Sequence, residues 1–540
     1  MIVSIFNDVI GPVMRGPSSS HCAAALRIGR LARDLLDGEI CEVLVEFDRG
    51  GSLPMTHESQ GSDMGLCGGL LGWDAADPRL PDSAAALRAS GVTLRIETVD
   101  VGDPHPNTYR LTLTNNAEQH TLIAISTGGG MIEVQTIDDC RLSIGGDYHE
   151  ALIRAKRTAE AEILRVLKTA MLDDVLVHAV NADEILVQAK SQSALADALV
   201  QQLCELDGVN YVKRLAPVLP VLSRKDLQVP FTTCAELLAY AQGRETSLWQ
   251  LAVEYEAARG NLTEAEVVAK MVEIVRILRH SIRAGIAGTE YEDRVLGPQA
   301  GKFAELLHAD KLLDAGALNH IVLYVTALME VKSSMGVIVA APTAGACAAL
   351  PAACIGMAEA LHASEVEMAR AMLAAGAIGM IIATRWTFAA EVGGCQAEGG
   401  SAAAMAAAAL VTLADGTLAQ ALAAASMALQ SMLGLICDPV ANRVEVPCLG
   451  KNVLAASNAV SCANMALADF DPVIPFDEVV ETAQRVAAQM PRELRCTALG
   501  GLAITKTSLA IEQRLAERKA ANCGGGCGCG PTVIQPVANS

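Results

Sequence analysis

Aromatic side chains are scarce in this chain: Phe, Tyr and Trp make up 3% of 540 residues. A core without large rings must be filled by Ala and the aliphatics, which suits closely packed helices. Basic excess is missing too. Lys and Arg number 41 against 61 Asp and Glu, a net charge of −20. No basic stripe is present to answer a phosphate backbone, so nucleic acid is not expected as a partner, whereas a small zwitterion meets no obstacle. The opening MIVSIFNDVIGPV has no basic n-region and carries Asp8, so it does not read as a secretory signal. The expectation is a cytoplasmic protein whose 16 cysteines are reduced. Clean membrane spans are lacking as well. Residues 335–357 and 416–437 are long and uncharged, but the first holds Pro342 and Pro351, and the second is Ala-rich with Gln420, Ser426, Gln430 and Ser431. Such stretches read as helices buried in a large helical domain, with no membrane as partner. The 51% hydrophobic content favours a homodimer.

What the chain does have is concentrated between Gly393 and Asn452. Cys395 follows Gly393-Gly394, Cys437 precedes Asp438-Pro439, and Cys448 follows Pro447. Gly and Pro end helices, so these breaks can turn thiols from separate segments toward one point. Thiolates hold iron–sulfur clusters, and three on a four-iron cube leave one iron open for substrate. The competing reading is three inert buried thiols, since free Cys behaves as a small hydrophobe and nothing in this window has the CxxC form of a zinc site.

The pattern along the chain predicts an α+β N-terminal domain over residues 1–145, a small α/β module with its linker over 146–230, a large all-α domain over 231–517, and a Cys/Gly-rich tail over 518–540. In the first, Ser18-Ser19-Ser20-His21 precedes a helical pattern over 23–36. Serine at a helix start caps backbone N–H groups, and the positive helix end suits a substrate carboxylate; the plainer reading is an ordinary cap beside a surface His. Strands are predicted over 41–47, 93–99, 109–113 and 122–126. In the module, 148–172 reads as a charged helix, 175–180 and 184–189 as strands, 193–206 as a helix and 211–222 as extended. Such a unit serves either as a regulatory module or as a structural bridge. Helices are predicted over 235–242, 249–259, 264–283, 317–328, 365–380, 401–413 and 418–432.

GCQAE at 394–398, MLGLICDPV at 432–440 and VEVPC at 444–448 resemble the iron–sulfur-dependent L-serine dehydratases, as do both inter-cysteine spacings. GPSSSH at 16–21, HPNT at 105–108 and STGGGMIEV at 126–134 resemble the beta part of that family, and SMG at 334–336 and APTAGA at 341–346 the alpha part. The resemblance implies a [4Fe–4S] cluster on Cys395, Cys437 and Cys448, and no PLP. It implies a small amino-acid substrate held by Ser18, Ser19, Ser20, Gly61, Ser62, Asp63 and Gly345, with His21 and Thr343 in the catalytic loops.

Three departures stand out. Gln60 occupies the place of a family His that is a candidate base, and Gln cannot accept a proton at neutral pH; His57, three residues earlier, is the candidate substitute. Lys332 replaces an Asn before the SMG element and, if it faces the site, favours a substrate with a second carboxylate. In some family members a C-terminal Cys caps the open iron. Here Cys523, Cys527 and Cys529 precede Gly530 and an extra PTVIQPVANS, with Cys529 as a possible fourth ligand. The implied reaction is L-serine to pyruvate and ammonia. The alternatives are a lyase for another β-hydroxy amino acid and a non-catalytic iron–sulfur or metal carrier.

Overall fold

The computed structural model describes residues 2–522. Its N-terminal part is built on a six-stranded sheet. The strands are β2 (Glu42–Asp48), β3 (Thr93–Val99), β4 (Thr108–Thr114), β5 (Gln119–Gly128), β6 (Met131–Ile137) and β7 (Cys140–Ile144), in the order β3-β2-β4-β5-β6-β7. Only β2 and β3 run parallel; the other pairs are antiparallel. Along β2, Val43, Val45 and Phe47 are buried while the alternating Glu42, Leu44 and Glu46 are half-buried, the period-2 pattern of a strand with one covered face. Helices Ala24–Leu36 and Ser62–Leu70 lie together against this sheet. Their approach depends on small residues. A Cβ on Gly65 would stand 2.0 Å from the Cys22 carbonyl oxygen, and one on Gly69 2.1 Å from that of Leu26. This contact sets the turn at Ser19–Ala23 directly beside the start of the second helix.

The second unit runs β8 (His149–Lys156), helix Glu160–Leu167, β9 (Asp174–Ala179), β10 (Glu184–Ser191), helix Asp197–Cys204 and β11 (Val209–Leu215). Its antiparallel sheet has the order β11-β8-β10-β9. The helix expected over 148–172 is a strand in its first third, His149–Lys156, and helical over residues 157–167. The charges misled: Glu150 is buried, where Gln188 donates to it at 3.0 Å, and Arg154 reaches Glu184 at 2.6 Å. Cross-strand partners of this kind make polar residues acceptable in a strand. The unit is tied to the first sheet. Lys213 donates to the Leu36 carbonyl at 3.1 Å, and Tyr211 to Asp138 at 2.8 Å.

From residue 234 onward helices dominate. Helix Ser401–Leu413 is the centre. Residues 401–411 are all buried, and Glu365–Arg385, Ala349–Ala360, Leu418–Gln430 and Cys448–Leu467 pack around it. Its AAAMAAAAL sequence has little side chain to separate the axes. Helix Glu365–Arg385 is long and apolar enough to cross a membrane by length and composition, and 78% of that window is buried inside the protein. Residues 335–357 and 416–437 are broken by turns rather than continuous helices. The chain's first residues join this helical body. Ser4 donates to Glu256 at 2.5 Å, the Tyr255 hydroxyl to the Val3 carbonyl at 2.8 Å, and β1 (Val13–Met14) pairs with β12 (Ile338–Val339). The N-terminal strap thus holds the Ser18–His21 turn against the loop that follows β12.

Candidate metal and active site

Cys395 precedes a single π-helical turn, Gln396–Gly400, that leads into the central helix. Gly394 at φ +68° makes the turn before it; a side chain there would be strained. Gln396 fixes the loop by donating to the Ala483 carbonyl at 3.1 Å and accepting from the Gly434 N–H at 2.9 Å. Cys448 is the first residue of helix Cys448–Leu467. Two of the three predicted thiols therefore sit at helix starts, where the backbone favours negative charge. Cys437 lies in extended backbone bridged to Arg495. All three are buried.

The Cys395 and Cys437 sulfurs and one Glu398 carboxylate oxygen all lie within 4.8 Å of one another. Cys437 is held well above the ordinary thiol range by its contacts with Cys395 and with Cys496, and by burial. Cys448 is pushed up by burial, then by the charge of Cys395, while Lys332 and Lys451 draw it down. Lys451 stands 3.7 Å from the Cys395 sulfur and 2.7 Å from Asp438. A soft, cationic metal group binds thiols as thiolates, and thiolate donors select such groups. The donor set therefore fits a sulfur-ligated metal centre. Cys529, with Cys523 and Cys527, lies outside the described residues.

Glu398 was quoted within a motif but not assigned a role from sequence. Thr343 donates to its Oε1 at 2.7 Å, and a Cβ on Gly345 would meet that oxygen at 2.7 Å. Gly345 is thus a close-approach position, held by Asn452, which donates to its carbonyl at 2.8 Å. Burial raises the Glu398 pKa, while the Thr343 hydrogen bond and the charges of Lys332 and Lys451 lower it. Lys332 is fully buried and donates to the Val444 carbonyl. It stands beside the site, but its charge already acts on Glu398, Cys448 and Glu445.

The serine loop does not cap a helix. Ser18 makes no capping bond; its hydroxyl pairs with His21 Nδ1 at 2.9 Å. Ser19 accepts from the Ala344 N–H at 3.1 Å, which joins this loop to the APTAGA loop. Ser20 is buried beside them. His21 is wholly buried rather than a surface residue. Its Nε2 faces Thr56 at 2.8 Å, its Nδ1 lies 3.5 Å from Glu391, and burial lowers its pKa to about 3. Thr56 donates to the Ser52 carbonyl at 2.8 Å, so His21 carries its proton on Nε2 and its Nδ1 accepts from Ser18. Glu391 is raised to about 7 by burial, while the Asn107 side chain of the HPNT motif, lying against it, pulls the other way; neither Glu391 Oε2 nor Asn107 Nδ2 completes a well-formed hydrogen bond. Buried, unpaired polar atoms beside a loop of hydroxyls are what a polar ligand would satisfy.

Gln60 is buried and faces the thiols. It donates to Asn442 at 3.2 Å and to the Cys496 sulfur at 3.5 Å. His57 and Asp63 pair at 2.7 Å, both partly exposed, and Ser62 pairs with Tyr109 at 2.8 Å, next to Gly61 at φ +89°. Cys496 is the thiol that the sequence reading missed. Its nearest breaks, Pro491 and Gly500, are five and four residues away, whereas the other three have Gly or Pro within two residues.

The fold brings converging thiols, a carboxylate and a hydroxyl-lined loop together, and Cys395, Glu398 and Cys437 form a group that could hold a metal ion. Comparison narrows the class. Residues 243–503 match the family model of the serine dehydratase alpha chain. The chain is 34% identical over 285 residues to a probable L-serine dehydratase alpha chain of Bacillus subtilis, covering 53% of this chain and 95% of that one. It is 38% identical over 150 residues to the probable beta chain of the same organism, covering 28% and 67%. The L-serine dehydratase of Helicobacter pylori is 32% identical over 518 residues, 93% of this chain and 98% of that one. The chain belongs to the L-serine dehydratase family of carbon–oxygen lyases, with beta-type and alpha-type parts in one polypeptide.

Proposed function

We propose that the chain removes water from L-serine, giving 2-aminoacrylate, which becomes pyruvate and ammonia, with a [4Fe–4S] cluster on Cys395, Cys437 and Cys448. The observation that carries this reading is the convergence of the Cys395 and Cys437 sulfurs with Glu398 inside 4.8 Å. When bound, the cluster supplies a Lewis acid that stabilises the departing hydroxide. PLP, which would act as an electron sink, is not required.

The chain's own residues do the rest. Glu398 is the group beside the thiols that can take up the Cα proton, since Gln60 cannot. The proton it takes is the one that hydroxide needs to leave as water. Thr343 orients the carboxylate and is itself held by the Ala346 N–H at 3.1 Å. The Ser18–Ser20 loop and Asn107 offer donors to the substrate carboxylate. His21, neutral above about pH 3, positions Ser18 and Thr56 rather than exchanging protons. Lys332 is engaged with its buried neighbours, which favours L-serine over a substrate with a second carboxylate. A reducing compartment, the cytoplasm, suits the site, and all thirteen described cysteines are free. The apolar composition favours a homodimer, and neither membrane nor nucleic acid is part of the reading.

The test is anaerobic purification with iron and sulfide analysis, then a pyruvate assay with L-serine. About four irons per chain with pyruvate formed supports it. A loaded cluster without pyruvate redirects the reading to other β-hydroxy amino acids or to a carrier. Absence of any metal on reduced Cys395, Cys437 and Cys448 overturns it.

A further inference from the structure

Glu391 is a buried acid that no cation among the described residues answers. It lies in the short helix Ala390–Gly393, just before Cys395, and its side chain is 3% exposed. His21 stands 3.5 Å away but is neutral above about pH 3. Tyr109, also within electrostatic reach, is a neutral phenol held up by burial. The one ionic group acting on Glu391 is Glu398, which repels it. Arg495 reaches the neighbouring Val392 carbonyl at 3.5 Å rather than the carboxylate. A carboxylate buried without a partner charge is costly, so a cationic ligand completes this arrangement.

The β5–β6 hairpin seats Glu391 and Asn107 together. Thr387 donates to the Thr127 carbonyl at 3.1 Å, and a Cβ on Gly128 would stand 2.9 Å from the Ala389 nitrogen. The Ser126 N–H of the same hairpin donates to the Asn107 carbonyl at 3.1 Å, and Ser52 donates to Asn107 Oδ1. With Oδ1 so engaged, Nδ2 is left on the Glu391 side. One donor and one acceptor thus stand side by side, buried and without a completed bond. A ligand with an ammonium and a carboxylate on one carbon offers the complementary pair.

Resting on the reading above, we propose that Glu391 holds the α-ammonium of the substrate while Asn107, with the serine loop, holds its α-carboxylate. Glu391 is then the residue that selects an amino acid over a carboxylic acid of the same shape. A ligand without the ammonium leaves the buried carboxylate unpaired, which is the strong form of discrimination. On binding, Glu391 releases its proton and pairs as a carboxylate; when the ligand leaves it takes the proton back. The two buried acids have separate tasks: Glu398 works beside the thiols, and Glu391 beside His21 and Asn107.

The test is isothermal titration calorimetry on the full chain, purified anaerobically, unaltered and as Glu391→Gln. The probes are L-alanine, which has both head groups and nothing to eliminate, and propanoate, which lacks the ammonium. The unaltered chain is expected to bind L-alanine about tenfold or more tighter than propanoate. In Glu391→Gln that preference should collapse, with propanoate bound no more weakly and iron content unchanged. Equal weakening of both ligands would mean a structural role and overturns the proposal, as does a preference that survives the substitution. If Glu391→Gln does not fold, the unaltered chain decides at pH 6, titrated in two buffers of different ionisation enthalpy. Release of about one proton per L-alanine, with none for propanoate, supports the assignment; no release overturns it. Pyruvate formed from L-serine without the L-alanine preference sinks Glu391 alone. The preference without pyruvate or iron keeps the amino-acid receptor and sinks the functional reading beneath it.

Discussion

Glu398 is asked to do what Gln60 cannot. It stands beside two thiols and takes the Thr343 hydroxyl at 2.7 Å, and burial lifts it above the usual carboxylate range. Glu398→Gln keeps the shape and removes the base. It is expected to lower kcat about a thousandfold, within the range for losing a general base, with iron and sulfide content unchanged. The unaltered enzyme should gain activity as pH rises through the raised Glu398 pKa, and the variant should lose that limb. Unchanged turnover in Glu398→Gln would remove it from the mechanism. Cys437→Ala leaves two of the three proposed ligands, so it is expected to lose most of its iron by elemental analysis. The three predicted cysteines were legible because Gly and Pro sit beside each. Cys496 has no Gly or Pro within three residues, and its partner Cys437 is 59 positions away in the chain (496 − 437); the backbone bridge between residues 437 and 495 brings the two together. Glu398 was hidden for another reason: a carboxylate is common, and its burial is a tertiary fact.

Elements were legible where one face decided the matter. The seven helices expected after residue 234 and strands β2 to β5 follow their hydrophobic period, with ends a few residues from expectation, whereas Ala300–His308, Ala349–Ala360, Cys448–Leu467 and Phe476–Gln489 were not singled out. β8 was not, because cross-strand partners neutralise its charges. The serine turn at residues 18–21 was not either, because its hydroxyls bond to His21 and to the Ala344 N–H instead of its own helix. What seats that turn is the interlock of helices Ala24–Leu36 and Ser62–Leu70. Gly65→Ala puts a Cβ 2.0 Å from the Cys22 carbonyl oxygen, and backbone cannot yield as a flexible side chain would. The expected cost is about 1–3 kcal/mol, read as a lower urea midpoint. Because the displaced turn carries Ser18 and His21, KM for L-serine should rise as well. A destabilised variant with unchanged KM would show that the turn does not touch substrate.

At the scale of the whole molecule, buried acids set how stability follows pH. Burial raises Asp8 to about 6, and Glu150, Glu256 and Glu391 each to about 7. Three of these sit where parts of the protein meet: Asp8 and Glu256 where the N-terminal strap enters the helical body, Glu391 where the two catalytic parts close. In the unfolded chain the same groups release their protons near their model values of 3.8 and 4.5. Between those values and about 7 the folded protein therefore binds more protons than the unfolded chain. Their contribution to stability is full below the unfolded values and drains away as pH rises through the folded ones. His21 works in the opposite sense. It stays neutral in the fold down to about pH 3, whereas the unfolded ring charges below 6.5, so its contribution is present above 6.5 and is lost as pH falls. His105 and His149, also lowered by burial, act with His21. His120, raised by Asp138 and Glu118 against burial, acts with the four carboxyls, so the groups whose folded pKa is raised outnumber the others from pH 8 to 6. The anaerobic holoenzyme should show a rising Tm as pH is lowered over that range. Glu150 lies in the second module, far in sequence from the catalytic loops, and Glu150→Gln should make the dependence shallower by about one proton. A Tm that falls on going from pH 8 to 6 would mean that these carboxyls are ionised in the fold and that the charges around them, Arg259 beside Asp8 and Glu256 and Lys190 beside Glu150, outweigh burial.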